Sequence, residues 1–327
     1  MNRFVASIAA VLFGWTTGHA LAQADAARGF PERPVRMVVP FGPAGGTDTI
    51  ARVIAGKMGE SFGQPVIVEN KGGGGGNIGT DLVAKAAPDG HTILVGYTGP
   101  IAVNITLFDN LPYDPQKDLA PITLAVTTPQ FLTLHPSVPA NTVAEFVKYA
   151  KERPGKLSYG SIAIGSASHL TMEMFKSAAG ISLENIAYKG SGPAVTDLLA
   201  GNVQAAFLVP GNVLPHLKAG KLKVLASSGR KRFAAMPEVP TMIESGFQDF
   251  EAIAWIGFLA PGATPKPIVA RYHRELVKIL NAPEVRQRLL DIQFEIVANT
   301  PEQFAEYIRW EIPRWAKVIR ETGVKAN

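Results

Sequence analysis

Short apolar runs alternate along the chain with stretches whose apolar residues recur at helical spacing, and polar, glycine-containing turns separate the two. The run Val35-Arg36-Met37-Val38-Val39 predicts a buried strand, and Ile50, Val53, Ile54 and Met58 predict an amphipathic helix. Between them the turn Pro40-Phe41-Gly42-Pro43-Ala44-Gly45-Gly46-Thr47-Asp48 uses Gly45 and Gly46 to bend sharply and leave backbone N–H groups bare. Thr47 or Asp48 is placed to cap the helix with a side-chain oxygen. The same device recurs. Pro65–Asn70 reads as a strand, Gly72–Gly76 with Asn77 and Gly79 as a glycine turn, and Ile78, Leu82, Val83 and Ala86 as one helix face. A third strand, Thr92–Gly96, runs into Tyr97-Thr98-Gly99-Pro100. Such alternation predicts a parallel sheet whose loops gather at the carboxyl ends of the strands, so the three turns share one rim.

After a polar, proline-rich loop over Leu111–Pro121, the β-branched run Ile122–Thr128 predicts a crossing into a second lobe. There the pattern restarts, with strands at Phe131–Leu134, Leu157–Gly160, Asn185–Tyr188, Ala205–Val209 and Lys223–Ala226. Helices are predicted over Val143–Arg153, after His169 and from Pro193 to Leu199. The turns Ser161–His169 and Lys189–Pro193 carry hydroxyls where the first lobe has glycines. The apolar stretch Phe250–Leu259 predicts a return, and helices over Pro267–Leu280, Pro283–Leu290 and Pro301–Thr322 complete the first lobe, with Pro313 starting or kinking the last. The expected organisation is a discontinuous domain of residues 23–125 plus 250–327 and an inserted domain of residues 126–249. Two hinge crossings join them and a cleft lies between.

Residues 1–22 read as an export signal: a positive start at Arg3, an apolar run from Phe4 to Trp15, and Ala20-Leu21-Ala22 as a cleavage site. That run is too short to span a bilayer, so an exported, soluble mature protein beginning at Gln23 is expected. The 327 residues are 46% hydrophobic, enough for two cores. Zero cysteines exclude disulfides and thiolate chemistry. The net charge of +5 is mild and scattered, and no aromatic interleaving marks a nucleic-acid surface.

Enzyme motifs fare poorly. Gly74-Gly75-Gly76-Asn77-Ile78-Gly79 matches the dinucleotide spacing, but the end of the next strand holds Gly96-Tyr97-Thr98 and no ribose-binding acid. No GxxxxGK[ST] or HExxH occurs, and Gly59-Glu60-Ser61-Phe62-Gly63 falls at a helix end and not at a strand-to-helix elbow. Ser166 or Ser168 beside His169 offers a hydrolase alternative without an orienting carboxylate nearby, and His169 at a helix start is otherwise expected to donate to the backbone or to the ligand as part of the binding set. The turns suit binding without reaction. Backbone N–H groups of Gly45, Gly46, Gly75 and Gly76 and hydroxyls of Thr47, Thr98, Ser166 and Ser168 form a nest for a small carboxylate. Lys189 adds a positive charge or is solvated, Phe41 and Tyr97 cover an apolar ligand body or join the core, and Asp48 orients its loop without touching the ligand. Neither cofactor nor metal is expected.

Four motifs in order resemble the Bug (TctC-like) family of extracytoplasmic solute-binding proteins. They are Pro40-Phe41 with Gly45–Arg52, Asn70 with the glycine run to Gly79, Tyr159-Gly160-Ser161 with Gly165-Ser166 and His169-Leu170, and Tyr188-Lys189-Gly190 with Pro193-Ala194 and Asp197–Leu199. The resemblance implies a type II periplasmic-binding-protein fold of two Rossmann-like α/β lobes. It further implies a monomer that closes over a small carboxylate or dicarboxylate and delivers it to the membrane subunits of a tripartite tricarboxylate transporter. Gly165 and Gly190 join the ligand-binding set on the same grounds. Presentation of the ligand to a membrane sensor is an equally compatible role. The chain departs from the family at Ala44, at Ile162-Ala163-Ile164, and at Leu208, where many members have an aspartate. The last change favours a plain organic acid over an amino acid.

Overall fold

The computed structural model describes residues 29–43 and 45–326, so the leader expected over residues 1–22 and the departure at Ala44 lie outside the described residues. β1 (Val35–Val39), α1 (Gly46–Phe62), β2 (Val66–Asn70), α2 (Asn77–Ala84) and β3 (Thr92–Tyr97) follow one another as the hydrophobic pattern predicts. Ile50, Ile54 and Met58 bury one stripe of α1 against the sheet, and Gly63, at φ 66°, ends the helix in a conformation that a Cβ disfavours. The capping expectation is corrected. The residue at the N-cap of α1 is Gly45, which has no side chain, and Thr47 and Asp48 fall inside the first turn. Two glycines free of Cβ sterics let the helix start before the first oxygen-bearing side chain.

A π-helical turn at Gly99–Val103 and the short α3 (Asn104–Leu107) lead to β4 (Leu119–Pro129). The second unit comprises β5 (Phe131–Leu134), α4 (Val143–Lys151), β6 (Ser158–Ser161), α5 (Ala167–Ala179), β7 (Glu184–Ala187), α6 (Ser191–Ala200), β8 (Ala205–Leu208), α7 (Pro210–Lys218) and β9 (Lys223–Ser227). The chain then returns through β10 (Ile253–Pro261), α8 (Lys266–Asn281), α9 (Pro283–Asp291), β11 (Glu295–Ile296) and α10 (Pro301–Thr322). Thr300 and Gln303 close a reciprocal capping box on α10, and Pro313 lies within that helix without dividing it.

The strands form two sheets, ordered β11-β4-β10-β3-β1-β2 and β7-β6-β8-β5-β9. β1 is parallel to β2 and β3, and β6 to β7 and β8, as alternation with helices requires. Both sheets are nevertheless mixed, and not purely parallel as the pattern predicts. β10 runs antiparallel to β3 and β4, and β5 to β8 and β9, because each arrives from the opposite unit in the reverse sense. β4 stays paired with β10 as far as Pro129 opposite Ile253, so the chain changes sheets at Gln130. Ser228 stitches the two crossings together. Its N–H donates to Gln130 O and its hydroxyl to Ala252 O, while Ala252 N–H donates to Ser228 O.

Each unit has its own core. One gathers Ile50, Ile54, Phe258, Tyr272 and Leu276 between α1, α8 and the first sheet; the other gathers Phe146, Tyr159, Phe175, Phe207 and Phe250. A third cluster spans both units. Leu170 of α5 packs with Leu107, Trp255, Phe304 and Trp315, joining the second unit to α10 through apolar contact.

Candidate functional site

The first unit's turns stand together at the ends of β1, β2 and β3. Gly73, Gly74, Gly75 and Gly76 have φ of 128°, 55°, 65° and 97°, a succession that side chains with a Cβ resist. A Cβ on Gly76 would stand 3.1 Å from Pro100 Cγ and 3.3 Å from Phe41 Cζ, so the three turns press on one another. Phe41 meets Tyr97 edge to face at 5.5 Å. Burial pushes the Tyr97 phenol up to about 12, which keeps its proton on the oxygen. Thr98 is fully buried, and its hydroxyl accepts from Trp255 N–H at 3.3 Å.

Asp48 binds to its neighbours from inside the first turn of α1. Its carboxylate accepts from Arg52 Nε and Asn70 Nδ2, both at 3.0 Å, and Asn70 Nδ2 also reaches Phe41 O at 3.1 Å. The buried acid thereby ties α1 to the end of β2 and to the first turn. Sequence reasoning missed a second polar network. Asn104 Nδ2 donates to Asn77 Oδ1 at 2.6 Å and to Gly75 O at 3.3 Å. Tyr113 donates toward Asn77 Oδ1 and Pro100 O, and burial raises its phenol pKa. Asn77 and Asn104 open short helices and Tyr113 lies in a loop, positions outside any hydrophobic repeat, so no pattern announces them.

In the second unit the residues singled out from the sequence do converge, but on their own loop. Ser166 caps α5 by accepting from His169 N–H at 3.3 Å, and its hydroxyl donates to Ala163 O at 2.7 Å. Ser168 Oγ lies 3.0 Å from Ser166 Oγ and accepts from Ile162 N–H at 3.0 Å. His169 Nδ1 accepts from Gly165 N–H at 3.0 Å. The imidazole thus serves a backbone amide and not a serine hydroxyl, which removes the geometry that the hydrolase alternative needs. Gly190, at φ 137°, precedes α6 and donates its N–H to Ile162 O at 3.0 Å, and Lys189 is exposed beside it.

The two units meet at two places. Gly165 seats against Asn104 and Leu107, and its carbonyl oxygen would lie 3.6 Å from a Cβ on Gly99. Gly75 faces Ile164 O, which a Cβ there would approach to 3.8 Å. Gly75, Gly99 and Gly165 are therefore brought together across the units. At the second place a crevice of about 220 Å³ separates Gly46 and Thr49 from Val209, Gly211 and Asn212, with the acid Asp291 and the apolar Ile292 and Phe294 also on its wall. α1 and α7 both begin here without a side-chain cap, so Gly46 and Gly211, each in the first turn of its helix, border one crevice, although Pro210 has no N–H and the Asn212 N–H donates to Val209 O. Val209, Gly211 and Asn212 were absent from the sequence reading, although Pro210-Gly211-Asn212 is one more turn between a strand and a helix. Leu208 is fully buried with Leu198, Val203 and Val213, so it is Val209, and not Leu208, that lines the crevice.

Two α/β units of matching strand order, joined by paired crossings and facing each other through glycine turns, define a two-lobed solute-binding architecture. The TctC model, described as the tripartite tricarboxylate transporter family receptor, matches residues 50–324, and the chain belongs to this family. The structure of an R. palustris protein, Rpa4515 with adipate, is similar at a TM-score of 0.85 and 34% identity, covering 90% of this chain and 99% of that one. The periplasmic binding protein BugD is similar at 0.83 and 38%, covering 91% and 100%. MatC from Rhodopseudomonas palustris with bound malate is similar at 0.82 and 34%, covering 89% and 100%. The fold is that of the type II periplasmic binding proteins, as the family resemblance implies.

Proposed function

We propose that the chain is an exported periplasmic solute-binding protein that captures a small organic carboxylate or dicarboxylate between its lobes and hands it, unaltered, to the membrane subunits of a tripartite tricarboxylate transporter. The observation that carries this reading is the crevice flanked by the uncapped starts of α1 and α7, one from each unit. Helix N-termini present unpaired N–H groups and the positive end of the helix dipole, and a carboxylate satisfies both. The adipate and malate held by two similar structures support the ligand class. In this reading residues 23–125 with 250–327 and residues 126–249 are the two lobes, closing as a monomer after cleavage behind Ala22. Gly45, Gly46, Thr47, Gly75, Gly76, Tyr97, Thr98, Gly165 and Gly190 surround the ligand, with Phe41 against its apolar part. Val209, Ile292 and Phe294 give the crevice an apolar wall, which favours a plain organic acid over an amino acid.

A thermal-shift screen of mature protein against small mono- and dicarboxylates tests the reading, because a ligand that binds only the folded state raises the melting temperature. Adipate or malate is expected to raise it in a concentration-dependent way and to be recovered intact. Indifference to the whole panel, or turnover of a carboxylic ester or amide, would overturn the assignment.

A further inference from the structure

The loop by which the second unit touches Asn104 and Leu107 is held from beneath by one imidazole. His169 is only 5% exposed, and its Nδ1 accepts from Gly165 N–H at 3.0 Å. A ring nitrogen that accepts carries no hydrogen, so the neutral ring has its single proton on Nε2, which stands 4.0 Å from Glu173 Oε1. The ring lies nearly parallel to Tyr159, with centroids 6.4 Å apart. Ser166 and Ser168 fix the rest of the loop through Ala163 and Ile162, which leaves the Gly165 amide dependent on His169. Gly165 is also where this loop seats against Asn104 and Leu107 of the first unit.

We propose that His169 is a positioning residue for lobe closure: its neutral ring seats the Gly165 turn against Asn104 and Leu107, and a proton on Nδ1 unseats that turn and weakens ligand retention. This rests on the carboxylate-binding reading only for its second half. Protonation sets two N–H donors facing each other, so the Gly165 amide loses its acceptor inside a buried loop. The ionisable groups facing the ring are Glu173 and Lys176 on α5 and Tyr159 on β6. Tyr159 and Lys176 both donate to Glu173 Oε1, at 2.5 and 2.7 Å, so the acid is already engaged. Among the described residues no charged group of α10, the first-unit helix packed on α5, acts on the ring. Burial lowers the imidazole pKa, Glu173 opposes that and Lys176 adds to it, leaving it below the ordinary histidine value. The turn is therefore seated at neutral pH and released as the pH falls through the lowered pKa, with affinity dropping up to about tenfold per pH unit below it.

The test is nuclear magnetic resonance on the ¹⁵N-labelled wild-type chain, with adipate titrations in parallel. At neutral pH the His169 ring is expected to carry its proton on Nε2, and the Gly165 amide to be protected from exchange until the ring titrates. Calorimetric affinity for adipate should fall with pH in wild type. It should fall less in His169→Asn, whose amide oxygen takes the place of Nδ1, and should be low at every pH in His169→Leu. Adipate's own ionisation is common to all three proteins and cancels in the comparison. A ring protonated on Nδ1 at neutral pH, Gly165 protection that ignores the titration, or the same pH dependence in His169→Asn would overturn the proposal. A titrating Gly165 amide without adipate binding at any pH supports the positioning role and counts against adipate as the ligand.

Discussion

Gly76 sits among the first unit's turns. Its φ of 97° and its approach to Pro100 and Phe41 make it the point where three turns share space. Gly76→Ala is expected to lower the unfolding free energy by about 1–2 kcal/mol through the left-handed strain alone, and to weaken carboxylate binding further by spreading the turns. Urea unfolding reads the first effect and calorimetry the second; unchanged stability and affinity would show that the turn tolerates a Cβ. The glycines were legible in the sequence because their conformational role follows from having no side chain. The hydroxyls were harder to read. Ser166 and Ser168 stand in the expected loop, yet their oxygens bond to Ala163 and Ile162, since a loop made without successive glycines needs side chains to satisfy its own amides. His169 likewise accepts from the backbone, although residue type alone suggested a donor to ligand or backbone.

Among the elements, strands and amphipathic helices followed the hydrophobic pattern closely, and the failures share a cause. α7 opens with Pro210-Gly211 and contains Pro215, residues that signal a break even though the segment folds as a helix packed through Val213. The two-residue β11 is set by pairing with Val126 and Thr127 of β4, a long-range contact that no local pattern records. α10 carries the most testable element-scale feature. Glu311 is fully buried; its Oε2 accepts from Trp255 Nε1 at 2.9 Å and Trp315 Nε1 at 3.0 Å, and its Oε1 from Arg314 at 3.1 Å. Burial raises its pKa above the ordinary 4.5 despite these donors. The folded state therefore holds this proton more tightly than the unfolded chain. The stability gained from it is fully present below pH 4.5 and is lost as the pH rises through the raised folded pKa. Glu311→Gln should accordingly gain stability relative to wild type as the pH climbs through that window. Parallel curves of melting temperature against pH for the two proteins would refute the raised pKa.

On the scale of the whole molecule, the proposed closure would move two cores of repeated strand order as bodies about the crossings at Gln130, Ser228 and Ala252. The two-lobed plan was visible in the chain because its alternation restarts after residue 130. The meeting surfaces were not, since Leu107, Asn104 and Phe294 gain their meaning only from what the other unit places opposite or beside them. Closure around a carboxylate is the central claim, and the absence of native cysteine makes it directly measurable. Spin labels on Ser61→Cys and Lys221→Cys, both exposed and one on each lobe, report the inter-lobe distance by pulsed dipolar spectroscopy. Adding the carboxylate selected by the thermal screen should shorten and narrow the distance distribution. Saturating that carboxylate, with binding verified by calorimetry, and finding the distribution unmoved would contradict the account.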